Sequence, residues 1–186
     1  MTDTEGRNGT VLVVDDEEDV AEAYSLWLSD EYDVRVSTSG EEAMERLAGA
    51  DLVLLDRRMP GLSGDEVLER IREEDHSCRV AMVTAVDPDF DIIEMGFDDY
   101  ITKPVDGGEL KEVADRLLRL DSLNEKLSDH FALAQKAAAL ETEKSPDELE
   151  SHDRYNEVLE EIEDTKGEID GEVQDDGLAD AMYRDL

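Results

Sequence analysis

Short apolar runs alternate with longer amphipathic stretches through the first two thirds of the chain. Val11-Leu12-Val13-Val14, Leu52-Val53-Leu54-Leu55 and Val80-Ala81-Met82-Val83 are unbroken apolar runs, the pattern of strands buried on both faces of a parallel sheet. Asp33 to Ser37 alternates, with Val34 and Val36 on one side, and Tyr100-Ile101-Thr102 is a further short strand. Helical spacing fills the intervals. Glu17 to Leu28 sets Val20, Tyr24 and Leu28 on one face. Ser39-Gly40-Glu41-Glu42 opens a helix whose Ala43, Leu47 and Ala48 point inward, and Gly64 to Glu73 carries Val67, Leu68 and Ile71. A short helix follows around Phe90 to Met95, and another begins near Gly108. This alternation predicts an α/β fold, a doubly wound five-stranded parallel sheet of ordinary single-domain size.

The last of these helices continues beyond the sheet domain. Val113, Leu117, Leu120, Asn124, Leu127, Phe131, Ala134 and Ala138 step by three and four, a heptad seam that weakens at its alanines and carries a polar Asn124 able to fix register. Leu123, Leu127 and Phe131 form its strongest stretch. Ser145-Pro146-Asp147-Glu148 then restarts a helix, with Ser as cap, Pro in the first turn and Glu three residues on. A second seam runs through Tyr155, Leu159, Ile162, Lys166, Ile169 and Val173, weakened by Gly167 and Gly171, and the segment from Asp175 to Leu186 is expected to fray. Two long helices joined at Ser145-Pro146, as an α-helical hairpin or a coiled coil, are therefore expected after the sheet.

The strand ends carry the chemistry. The first apolar run leads into Asp15-Asp16, the second into Asp56 with Met59-Pro60-Gly61 behind it, the third into Thr84, and Tyr100-Ile101-Thr102 delivers Lys103-Pro104. Carboxyl ends of parallel strands converge where open α/β sheets bind ligands. Taken singly, each residue has a plainer reading. Asp15-Asp16 could cap the first helix, Asp56 could open a turn with Pro60-Gly61, Lys103 could be loop chemistry, and Thr84 and Tyr100 could be ordinary strand residues. A carboxylate that accepts a phosphoryl group beside other acids calls for a divalent cation. Mg²⁺ suits one or two carboxylates plus phosphate. Asp16 and Asp56 fit direct ligation, with Asp15 acting through a water.

In this order and frame the residues resemble the receiver domain of two-component response regulators, over residues 8 to 120. The resemblance implies that Asp56 is the phosphoacceptor, that Thr84 and Lys103 pair with phosphoryl oxygens, and that the backbone carbonyl of Arg58 joins Asp15, Asp16 and Asp56 around Mg²⁺. It further implies that Tyr100 swings inward as Thr84 moves. The small Ala85 would leave the pocket open to the donor, a histidine kinase, and Arg58 and Val86 would flank the water that attacks the acyl phosphate. A hydrolase using Asp56 transiently is disfavoured, because the second acid expected two residues later is replaced by Arg58.

Charge sets the environment. With 53 Asp plus Glu against 18 Lys plus Arg, the formal net charge is -35. The acids occur in nearly every helix and loop, as in proteins of salt-in halophiles, where molar salt shortens the screening length to about 3 Å. Met1 to Thr10 is polar and no apolar run approaches the roughly 18 residues of a membrane span, so a cytoplasmic protein is expected. Cys78 is a lone cysteine, read as a strand-edge hydrophobe, and His76, His130 and His152 lack metal-ligand spacing.

The acidic helical extension resembles the HalX domains attached to receivers in halophilic archaea. Residues 1–8 are then a disordered lead-in, 9–120 the receiver and 121–186 the HalX-like domain. That family is linked to transcriptional regulation. Acids outnumber the bases after position 104 and no basic stripe exists to neutralise phosphates, which argues against direct DNA binding and for a protein output partner. A homodimer through the same seams is the structural alternative, and a phosphate sink whose C-terminal helices only dimerise is the functional one.

Overall fold

The computed structural model describes residues 8–120 and 125–176, with side chains described for 8–119 and 127–166. Strands β1 (Thr10–Val14), β2 (Asp33–Ser37), β3 (Leu52–Leu55), β4 (Arg79–Thr84) and β5 (Asp99–Thr102) form one sheet in the order β2-β1-β3-β4-β5. Every pairing is parallel. The pleat divides the apolar runs between two cores. Val11, Val13, Leu52, Leu54, Ala81 and Val83 pack under α1 (Glu18–Leu28) and α4 (Gly107–Leu120). Leu12, Val14, Val53, Leu55, Val80 and Met82 pack under α2 (Gly40–Arg46) and α3 (Gly64–Glu73). Continuous apolar strands are what burial on both faces requires.

The expected boundaries hold closely, with local corrections. Ala48 is exposed rather than inward: α2 stops at Arg46, Gly49 takes a left-handed φ of 74°, and Arg35 donates to the freed carbonyls of Arg46 and Ala48 at 3.2 and 2.7 Å. The segment after β4 is a 3₁₀ turn, Phe90–Glu94, opened by the Asp89 carboxylate accepting from the Phe90 N–H at 2.8 Å. Of the expected disordered lead-in, Asn8 donates to the Glu31 carbonyl at 3.0 Å, and residues 1–7 lie outside the described residues.

The C-terminal helices α5 (Glu125–Glu143), α6 (Pro146–Glu150) and α7 (Asp153–Asp176) pack on the sheet domain. A five-residue turn covers little of the sheet between β4 and β5, and α5 lies along β5 and that turn. Leu127 and Phe131 pack against the core under α1 and α4, whereas Leu133, Ala137 and Leu140 join the core under α3. The helix thus passes across the open edge of β5, the edge that parallel sheets otherwise leave available for pairing. Polar contacts fix it. Arg79 donates to Ser128 Oγ at 2.8 Å, the Arg116 guanidinium lies 5.3 Å from the Phe131 ring centroid, and Lys136 Nζ donates to the Ile93 carbonyl at 3.2 Å.

Leu127, Phe131, Tyr155 and Ile162 pack inward as expected, and each seam is corrected at one position. Ala138 is exposed, and the inward positions are Ala137 and Leu140. In α7, Val158 is 1% exposed and Leu159 is 37% exposed, the reverse of the expected assignment. The Ser145 capping box with Glu148 forms as expected, but α6 ends at Glu150, and α7 starts afresh after Ser151-His152. The side chains of Leu120, Leu123, Asn124, Gly167, Ile169, Gly171 and Val173 lie outside the described side chains. Of the segment expected to fray, Asp175 and Asp176 still belong to α7, and residues 177–186 lie outside the described residues. No helix among the described residues is long and apolar enough to cross a membrane.

Leu140 is fully buried where α5 meets the core. Leu140→Ala is expected to cost about 2–5 kcal/mol, read as a lower midpoint in thermal unfolding followed by circular dichroism in molar salt. An unchanged midpoint would mean that α5 does not share this core.

Candidate functional site

The site is assembled at the carboxyl ends of β1, β3, β4 and β5. Each strand holds its end residue in register through the ladder: Val14 pairs with Leu55, Leu55 with Met82, and Thr84 with Thr102. Asp15 and Asp56 therefore emerge side by side, and Lys103 follows β5 over the same edge. Asp15, Asp16 and Asp56 each offer a carboxylate oxygen within 4.8 Å of the others. Lys103 Nζ lies 2.5 Å from Asp15 and 3.9 Å from Asp56, and the Lys103-Pro104 peptide is cis. Asp15 is 2% exposed and Asp56 8%, whereas Asp16 faces solvent.

Capping does not account for the acid pair. The residue at the helix N-cap is Glu17, without a side-chain cap bond, and Asp15 Oδ1 accepts from the Glu17 N–H at 2.9 Å. Thr84, at the end of β4, is 1% exposed, and its Oγ1 accepts from the Val86 N–H at 3.3 Å. Tyr100 is buried, its hydroxyl donating to the Val86 carbonyl at 2.7 Å and its ring 5.6 Å from that of Phe97. Ala85 and Arg58 are exposed beside the site. The loop behind Asp56 has no slack: a Cβ on Gly64 would fall 2.0 Å from the Asp56 carbonyl oxygen.

Burial pushes the Asp56 carboxyl above its ordinary range, with Asp15 adding to the rise and Lys103 and Thr84 opposing it. A carboxylate penalised by burial favours binding a cation, since the cation replaces the lost solvation. Hard oxygen donors of this kind suit Mg²⁺, which keeps waters and takes few protein ligands. A cavity of about 950 Å³ opens onto the cluster, bordered by Asp16, Arg57, Arg58, Val86 and Asp91.

The chain is similar to known proteins in sequence and in fold. The response regulator receiver domain model matches residues 11–115, more than half of the chain. The chain belongs to the response regulator receiver family. Behind the receiver, the HalX domain model matches residues 119–186. A relative from Haloferax volcanii described as a putative transcriptional regulator is 43% identical over 166 residues, 88% of this chain and 28% of its own length. The sensory transduction protein RegX3 of Mycobacterium bovis is 42% identical over 107 residues, covering 54% of this chain and 47% of that protein. The chain thus spans less than half the length of these relatives. Among solved structures, TrrA from Thermotoga maritima, in complex with Mg²⁺ and BeF, is 34% identical with a TM-score of 0.53, covering 59% of this chain and 98% of that one.

Asp15, Asp16, Asp56, Thr84 and Lys103 gather at the carboxyl ends of the strands, and Tyr100 on β5 bonds the Val86 carbonyl two residues past Thr84. Arg57 is not singled out by the sequence pattern. It bridges Asp65 in α3, at 2.9 Å, and Asp91 in the 3₁₀ turn. Its position directly after Asp56 was the available signal, but its partners come from two other elements.

Removing the buried charge should stabilise the receiver in the absence of metal. A raised folded pKa means that the native state holds a proton more tightly than the unfolded chain, so ionised Asp56 opposes folding at neutral pH. That opposition fades as pH falls through the folded pKa toward the unfolded value of about 3.9. With chelator and molar salt, Asp56→Asn is expected to melt above the wild type at pH 7, the gap narrowing toward pH 4. Equal midpoints at pH 7 would contradict the burial penalty.

Proposed function

We propose that this receiver accepts a phosphoryl group on Asp56 from a histidine kinase and signals through its HalX domain to a protein partner in transcriptional regulation. The observation that carries the reading is the joint placement of Asp15, Asp16, Asp56, Thr84 and Lys103 at the carboxyl ends of the strands. A carboxylate oxygen of Asp56 forms a bond to the phosphorus of the kinase phosphohistidine, the N–P bond breaks, and its electron pair returns to the imidazole. Transfer of this kind asks mainly for positioning and charge stabilisation.

Asp15, Asp16, Asp56 and the Arg58 carbonyl are the ligands proposed for Mg²⁺, which when bound neutralises phosphoryl oxygens. Lys103 supplies a second cation, moving from Asp15 to a phosphoryl oxygen. Thr84 turns its hydroxyl, which accepts from the Val86 N–H, toward the phosphoryl group. Tyr100 is bonded to the Val86 carbonyl, two residues after Thr84, so movement of that loop alters its packing.

The C-terminal cations favour a protein partner over DNA. Lys136, Lys144 and Arg154 are committed to the receiver, at Ile93, Asp89 and Glu94, and are not arrayed for phosphates. Intact mass after incubation with phosphoramidate and Mg²⁺ in molar salt tests the reading, with a gain of one phosphoryl group expected. No gain under those conditions would refute it.

A further inference from the structure

Arg57 joins the phosphoacceptor loop to the surface on which the HalX helices rest. Its side chain is 12% exposed. Nε donates to both oxygens of Asp65 at 2.9 and 3.1 Å, and a terminal nitrogen pairs with Asp91. The Arg57 backbone carbonyl accepts from Gly64, closing the loop onto the start of α3. Arg57 thereby ties the start of α3 to the 3₁₀ turn.

The opposite side of that turn holds the C-terminal helices. The Phe90 ring stacks on His152 at 3.8 Å between centroids and 6° between planes. Asp89 takes Lys144 at 2.7 Å, Glu94 takes Arg154 at 2.6 Å, and the Ile93 carbonyl takes Lys136. A five-residue turn with partners at almost every position cannot move without moving them.

We propose that Arg57 is a positioning residue through which the phosphoryl state of Asp56 sets how tightly the HalX helices are held on the turn Phe90–Glu94. The inference rests on the reading of Asp56 as phosphoacceptor. A phosphoryl group adds roughly -2 of charge on the residue before Arg57, at the cavity that Arg57 and Asp91 both border, and offers the guanidinium a stronger anion than Asp91. Asp91 loses its cation in a loop already crowded with Asp87 and Asp89 around the same cavity. The turn shifts, and the contacts to His152, Lys144 and Arg154 shift with it. This is a two-position element that both the site and the helices bias, the physical requirement for coupling.

The test uses the full chain in molar salt with Mg²⁺ and beryllofluoride as the phosphoryl mimic. Fluorine NMR reports the bound mimic, and amide hydrogen exchange reports Lys136 to Val158. In the wild type, bound mimic is expected to change exchange in that segment by about threefold or more. Arg57→Ala should still bind the mimic but lose most of that change, and Asp91→Asn should reproduce the loss from the other side of the pair. Full wild-type response in both variants with mimic bound overturns the proposal, as does a wild type that binds the mimic with no change in the helices. Absence of a bound fluorine signal in the wild type instead overturns the reading of Asp56, and the proposal with it. Should Arg57→Ala fail to fold, Asp91→Asn alone decides.

Discussion

Asp56→Asn is expected to abolish phosphoryl gain completely, not merely to slow it. The amide keeps the size and most hydrogen bonds of the carboxylate, so Thr84 and the loop closed by Gly64 retain their places, while the nucleophilic oxygen is gone. Asp15 and Asp16 lie within the same 4.8 Å cluster and are the obvious substitutes. Asp15 is neutralised by Lys103 at 2.5 Å, however, and Asp16 stands at the exposed rim. Intact mass after phosphoramidate treatment should therefore show no addition in the variant and one in the wild type. Chelator should give the same blank result, because a phosphoryl group cannot approach three clustered carboxylates without a divalent cation. Lys103→Ala should keep the acceptor but impair stabilisation of the product. A phosphoryl group that persists in Asp56→Asn would move the acceptor elsewhere and sink the assignment.

The strands were legible because their burial is local information. Runs such as Val11 to Val14 and Leu52 to Leu55 admit only one environment, and the residue that ends each run is placed by the run itself. The site could thus be read from Asp15, Asp16, Asp56, Thr84 and Lys103 before any packing was known. The C-terminal helices were less legible for a physical reason. Helical periodicity shows that a helix has an apolar face, not what that face meets. Leu127 and Phe131 do point inward, but toward one core of the receiver, while Ala137 and Leu140 reach the other. A single straight seam cannot describe a helix that crosses a sheet edge. Leu159 and Val158 are adjacent and equally apolar, so one residue of phase decides which is buried, and that phase is set by where α7 restarts after Ser151-His152. Arg57 escaped notice because an arginine between an acid and a turn reads as solvated until Asp65 and Asp91 are seen around it.

Lowering salt should produce the largest change in stability. Two electrostatic effects oppose each other. The contacts that hold the HalX helices, Lys144 with Asp89 and Arg154 with Glu94, are attractive, but exposed pairs of this kind contribute little. Against them stands the repulsion among 53 acids balanced by only 18 bases. Distance decides which is screened. The pairs touch at 2.7 and 2.6 Å, inside the Debye length of about 3 Å at 1 M salt, whereas acids spaced further apart escape one another there. At 0.1 M the Debye length is about 10 Å, so neighbouring acids on every helix repel while the contact pairs gain little. The thermal midpoint followed by circular dichroism is therefore expected to fall by more than about 10 °C between molar salt and 0.1 M, corresponding to about 3–5 kcal/mol for a chain of this size. The fall should come first in α5 to α7, whose core is small and shared with the receiver. A midpoint that is flat across this range, or that rises as salt is removed, would show that the acidic surface is not an adaptation to concentrated salt.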